Sequence, residues 1–249
     1  MLPNLGGTRS SLKSDHLLHT PDAFIRTPLP GASGVDFVVH TAPRLGAAFT
    51  WMTAEFAANG ILAIPAPGVQ RFLFVLSGSL TLTADSASTP LTSNGFAFIP
   101  ADVAHTVIAD APARAVLIEK IYQPLDGDST PQTIVTGNEA ELPTTPLDGD
   151  PDLQVCRLMP DGPAWDFAVN TMTYAPGAAL SQVEIHVMEH GLLMLEGGGI
   201  YRLGEHWYPV TTGDFIWMAP YCPQWFGAIG KTPAKYLIYK DWYRHPLET

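Results

Sequence analysis

Three side chains suited to metal chemistry stand close together in the run Glu184-Ile185-His186-Val187-Met188-Glu189-His190. Residues two apart on a strand share a face, so Glu184 and His186 project together, and His190 joins them if the strand continues. A carboxylate and two imidazoles on one face form a donor set for a divalent cation. Glu189 falls out of phase and is expected to face solvent or to support the set from behind. Other residues can be read either as plain lining or an exposed strand-end cation, or as contacts for a bound molecule. Tyr236 and Lys240 lie four apart on one strand face. A lysine directed into a small barrel is costly unless it meets an anion. Tyr201 follows the glycines at 197–199 and is a further polar lining candidate.

These residues need a scaffold, and the chain supplies it twice. Residues 68–107 and 184–226 read alike: an apolar strand ending in glycine, a short alternating strand, a turn, and a strand closing on proline. Gly78 aligns with Gly197, Gly95 with Gly213 and Pro100 with Pro220, at offsets of 119, 118 and 120 residues, near enough to constant to indicate a duplicated unit. Runs rich in Phe, Ile, Leu, Val and Thr at 72–76, 79–83, 96–99, 115–121, 192–195, 199–203, 215–218 and 234–239 predict short strands cut by turns. That spacing is the pattern of antiparallel sandwiches and small barrels. Residues 130–152, polar and proline-rich, predict a linker with one strand at 133–135. The boundary is set near 145. Residues 1–145 then form a first unit with an N-terminal extension, and 146–249 a second that carries the site.

Composition agrees and excludes several partners. With 22 glycines and 23 prolines scattered through 249 residues, long helices are not expected, and the chain reads as all-β. Thirteen basic against 24 acidic residues give a net charge of −11, which argues against nucleic acid and anionic membrane as partners. No run of 18 apolar residues occurs, so no helical span is expected. Two cysteines, Cys156 and Cys222, cannot make a disulfide framework, and the first residues lack the apolar core of a signal peptide. The expected address is the cytoplasm.

The arrangement of glycines, strands and ligand-type residues resembles the cupin superfamily, whose motifs have the forms G-x5-H-x-H-x3,4-E-x6-G and G-x5-P-x-G-x2-H. The resemblance implies a bicupin, two jelly-roll barrels in tandem. Six residues separate His190 from Gly197, as the first motif requires, so Glu184 and His190 have exchanged the usual places of imidazole and carboxylate. In the second motif the candidate fourth ligand is Gln224, and Cys222 is a weaker alternative. Two imidazoles, a carboxylate and an amide oxygen favour Mn²⁺ or Fe²⁺ with open positions over a structural Zn²⁺. The same count in the first copy gives Arg71, Pro67 and Pro65, which do not ligate, and leaves only His105. The first barrel is expected to be metal-free, with His105 in a hydrogen-bonding role.

The narrower pattern E-x-H-x3-H, with glutamine 34 residues on, resembles the (S)-ureidoglycine aminohydrolase family. The runs Ala42-Pro43-Arg44-Leu45-Gly46-Ala47, Tyr174-Ala175-Pro176-Gly177-Ala178 and Tyr236-Leu237-Ile238-Tyr239-Lys240-Asp241 extend the resemblance over nearly the whole chain. It implies Mn²⁺ held by Glu184, His186, His190 and Gln224, with Tyr201, Tyr236 and Lys240 contacting substrate. It also implies hydrolysis of a small ureide and a homo-oligomer. Glu184, a ligand with a spare oxygen, and Lys240 are the candidate catalytic residues. Two other classes stay open: a different metal cupin enzyme, such as an Fe²⁺ dioxygenase or an isomerase, and a non-catalytic bicupin that binds a small molecule. Oxygen dependence marks the first, and absence of metal the second.

Overall fold

The structure is a computed structural model and describes residues 7–125, 130–131 and 133–245. Gln132, within the expected linker, lies outside the described residues. Among the described residues the only helical turns are three short 3-10 segments, Pro21–Ala23, Pro43–Leu45 and Glu139–Glu141. The rest of the regular structure is antiparallel sheet. No helix of the described residues is long and apolar enough to cross a membrane.

The chain divides into two units, Ile25–Leu142 on one side, and residues up to Phe24 together with those from Pro143 on the other. In the first unit the 13-residue strand Thr50–Leu62 pairs with Ala32–Thr41, Ala113–Ile121 and His105–Ala109. Strand Ala113–Ile121 also pairs with Val69–Ser77. The hairpin Ser79–Ala84 and Ala87–Thr92 turns through Asp85 and Ser86, both at positive φ, as a tight hairpin with right-twisted strands requires. Alternate residues point inward, and Phe37, Met52, Leu73, Leu82, Ile99 and Leu117 meet in one buried cluster.

The second unit packs two sheets. The larger is ordered Ser11–Leu12, His16–His19, Phe215–Met218, His190–Glu196, Ala234–Asp241, Phe167–Tyr174, Asp150–Arg157 and Thr144–Leu147. The smaller consists of His206–Thr211, Gly198–Leu203 and Gln224–Ala228. Leu192, Met194 and Tyr236 from the first meet Tyr201, Leu203 and Phe226 from the second in a common core. The duplication is visible in its turns. Gly78 and Gly197 both adopt positive φ, and a Cβ on either would overlap the carbonyl of a proline, Pro112 before strand Ala113–Ile121 or Pro233 before strand Ala234–Asp241.

The N-terminal segment departs from the expected division. Read as an extension of the first unit, it instead completes the sheet of the second. His16–His19 pairs antiparallel with Phe215–Met218, placing His19 opposite Phe215 and His16 opposite Met218. The pairing satisfies backbone groups along what would otherwise be an open strand edge. Arg9 secures the segment: its Nη1 and Nη2 donate to the two oxygens of fully buried Asp214 at 2.9 and 2.7 Å. Asp214 also accepts from the Thr211 amide at 2.9 Å. Asp214→Ala is expected to destabilise the protein by about 2 kcal/mol, the scale of hydrogen bonds to a charged group. The urea midpoint checks this, and an unchanged midpoint would mean that the arm contributes nothing.

Candidate metal centre

Strand register gathers the side chains. His190 opens strand His190–Glu196 directly opposite Lys240, and Met194 stands opposite Tyr236. Facing residues of antiparallel strands share a side of the sheet, so His190, Tyr236 and Lys240 point the same way. The next strand adds Asn170 opposite Ile238, Met172 opposite Tyr236, and Tyr174 opposite Ala234. The sequence reading did not select Asn170, Met172 or Tyr174 as site residues. Their alternation in 167–174 marks a shared face, but only the pairing shows which face it joins.

Glu184 and His186 arrive differently from the expectation. Residues 185–189 are not strand, so the even spacing does not hold the three side chains on one continuous face. Glu184 is instead fixed by an isolated bridge to Gln224: the Glu184 amide donates to the Gln224 carbonyl at 2.8 Å, and the Gln224 amide returns the bond at 2.9 Å. The Tyr221 amide donates to the His186 carbonyl at 2.7 Å. These bonds tie the segment of Glu184 and His186 to that of Gln224. Glu189 is buried, not solvent-facing, and accepts from Trp217 Nε1.

Glu184, His186, His190, Gln224, Tyr201, Tyr236 and Lys240 all line one cavity of about 120 Å³. His186 Nε2 lies 3.0 Å from Glu184 Oε2, and the rings of His186 and His190 stack with centroids 5.1 Å apart. His190 Nδ1 lies 3.1 Å from the Met188 carbonyl, which can only accept, so Nδ1 carries the proton and Nε2 keeps its lone pair. Burial first, then the neighbouring His186 and Lys240, push the His190 imidazolium pKa down to about 3, so the ring is neutral, as a ligand must be. Tyr201 donates to Gln224 Oε1 at 3.2 Å, which orients the amide. Burial holds the Tyr201 and Tyr236 hydroxyls far above their ordinary range, so both are neutral phenols. Tyr236 also shares a 2.8 Å hydrogen bond with Tyr174. The donors are carboxylate and amide oxygens and imidazole nitrogens, and they fit a hard-to-borderline divalent ion. Cys222 does not line this cavity. It lies in a group with Asp15 and His16, 3.9 Å from Asp15 Oδ2, while the two His16 ring nitrogens meet Asp15 and the Tyr208 hydroxyl, each at 2.9 Å.

The cupin domain family matches residues 170–239, the stretch that supplies the cavity residues named above except Lys240, which follows its last residue. A solved glyoxylate-induced protein of Pseudomonas aeruginosa superposes with a TM-score of 0.87 at 29% identity, over 98% of this chain and 94% of that one. The (S)-ureidoglycine aminohydrolase of Arabidopsis thaliana is 38% identical over 97% of this chain and 80% of its own. That of Escherichia coli K12 is 31% identical over 90% of this chain and 87% of its own. This chain belongs to the (S)-ureidoglycine aminohydrolase family.

The first unit of this aminohydrolase-family chain shows what the same lattice does with other residues. Arg71 stands directly opposite Glu119, as His190 stands opposite Lys240 in the second unit. The buried Arg71 guanidinium donates through Nε and Nη2 to Glu119 Oε1 at 2.9 and 2.6 Å. Its Nη1 donates to the Ala63 carbonyl and to His105 Nε2, both at 2.8 Å. His105 Nδ1 donates to the Val103 carbonyl at 2.8 Å, leaving Nε2 as the acceptor that Arg71 needs. His105, at the position corresponding to Gln224, is therefore bonded to a side-chain cation. Its pKa is lowered, by burial and then by Arg71, which keeps it neutral.

Proposed function

We propose that the second unit holds Mn²⁺ through Glu184, His186, His190 and Gln224 and converts (S)-ureidoglycine and water to (S)-ureidoglycolate and ammonia. The observation that carries this reading is the convergence of four O and N donors with Tyr201, Tyr236 and Lys240 on one small cavity, in a chain whose relatives bear that enzyme name along almost its full length. A divalent ion there supplies Lewis acidity and a template that orients an amine, a ureido group and a carboxylate borne on one carbon. The chain's own groups do the rest. Lys240 pairs with the substrate carboxylate, and the Tyr201 and Tyr236 hydroxyls donate to ureido or carboxylate oxygens. Glu184 accepts a proton and delivers it to the departing amine, so that a C–N bond breaks, a C–O bond forms and ammonia leaves. Buried walls hold one face of the substrate towards water, which accounts for a single stereoisomer.

The reading is tested by ammonia release from freshly generated ureidoglycine, measured under air and under argon. Stereospecific release above the spontaneous rate, equal in both gases, is expected; release that needs oxygen or never exceeds background contradicts it. Lys240→Met keeps the apolar stem and removes the charge. Normal metal content is expected, with kcat/KM lowered about 10- to 100-fold, the worth of one charge-assisted hydrogen bond. Wild-type turnover in that variant would remove Lys240 from substrate binding.

A further inference from the structure

A second cavity, of about 260 Å³, lies against the first. It is lined by Arg157, Asp161 and Trp242 among others, and shares Leu147, Asn170, Met172 and Lys240 with the inner one. Lys240 therefore stands at the neck between the two. Its ammonium does not hang free: Nζ lies over the Trp242 indole, 4.0 Å from the ring centroid. The indole is itself anchored. Trp242 Nε1 donates to Asp161 Oδ1 at 2.9 Å, the Tyr243 hydroxyl donates to the same oxygen at 2.8 Å, and Arg157 donates to Oδ2 at 3.1 Å. The Trp242 amide donates to the Asp166 carbonyl at 3.1 Å, and Arg244 Nη1 to that of Pro163 at 3.0 Å. Residues 242–244 are thus tied along the 161–166 segment.

We infer that Trp242, pinned by Asp161, is a positioning residue that seats the Lys240 ammonium at the neck, where it meets the carboxylate of an anionic substrate entering through the outer cavity. A flexible four-carbon stem has many rotamers, and a ring face that holds the charge removes most of them before substrate arrives. The attraction of an ammonium to an indole face is weaker than its attraction to a carboxylate, so the seat yields the charge on binding. Arg157 on the outer cavity is paired with Asp161, and Asp148 also lines that cavity, so the group that meets a substrate carboxylate is the Lys240 ammonium at the neck. This inference rests on the substrate class proposed above.

Two measurements test it. In protein labelled with ¹³C-lysine and assigned through Lys240→Met, the ε-methylene protons of Lys240 should show an upfield ring-current shift, kept in Trp242→Phe and lost in Trp242→Leu. Unshifted protons in the wild type overturn the seat whether or not ureidoglycine is the substrate. In turnover, Trp242→Leu should raise KM about tenfold with kcat within about twofold, and Trp242→Phe should restore KM to within about twofold of wild type. In the Lys240→Met background Trp242→Leu should have no further effect, because the tryptophan acts through the lysine. An additive loss in that background means that Trp242 has a separate structural role and overturns the inference. Wild-type protein inactive on ureidoglycine would sink the proposed function instead, leaving the ring-current result to decide the seat.

Discussion

Protein carrying His186→Ala together with His190→Ala is expected to bind no stoichiometric Mn²⁺ and to turn over ureidoglycine at the uncatalysed rate. Removing both imidazoles leaves one carboxylate and one amide, too few donors for a divalent ion in competition with water. The fold should survive, because His186 is partly exposed and its segment is held by backbone bonds from Glu184 and Tyr221 that need no side chain. His105→Ala is the matched control and should retain the full metal complement. Elemental analysis of the purified variants separates the two cases. Metal retained by the double variant, or lost on His105→Ala, would move the centre out of the second unit.

The second large effect belongs to the metal-free unit and to stability. Arg71→Ala should destabilise by about 3 kcal/mol, because it leaves Glu119 and His105 without their shared partner inside the barrel. The figure is taken at the low end of the usual range since Glu119 keeps 21% side-chain exposure while Arg71 keeps 3%. The double replacement Arg71→Met with Glu119→Leu removes both charges and should recover most of the loss. Urea midpoints of the three proteins measure this. If the double variant is as unstable as Arg71→Ala, packing of the guanidinium, not its charge, is what the barrel needs.

The two units show how one lattice serves two ends. A cross-strand pair at equivalent points is Arg71 with Glu119 in one and His190 with Lys240 in the other. In the first, the pair neutralises itself and fills the interior with a fixed guanidinium. In the second, the pair is a neutral imidazole and a cation that do not cancel, and both line the inner cavity. The sequence carries the first half of this contrast, since Arg71, Pro67 and Pro65 cannot ligate. The salt bridge to Glu119 lies 48 residues away and becomes visible only when the strands pair.

Local chemistry made much of the architecture legible. Alternating apolar runs and turn residues mark the strands, and the near-constant offsets of Gly78 and Gly197 reveal the duplication because both turns demand positive φ. The N-terminal segment escaped because His16–His19 is short, and nothing in its composition specifies that its partner is Phe215–Met218, some 200 residues on. The periodicity argument for Glu184, His186 and His190 named residues that line one cavity, yet its physical premise failed: the bridge to Gln224 brings them in, not an unbroken strand. Asn170 and Met172 remained hidden for the same reason as the Arg71 ion pair. Register is a property of the assembled sheet, and a single strand read alone is silent on it.

The central claim is that one divalent ion per chain, held in the second unit, supports hydrolysis of (S)-ureidoglycine. Its most direct test is a titration of chelator-stripped protein with Mn²⁺, following ammonia release from ureidoglycine at each point. The account predicts activity that rises linearly with added metal and reaches its plateau at one equivalent per chain. Full activity in the stripped protein, or a plateau at two equivalents, would contradict it.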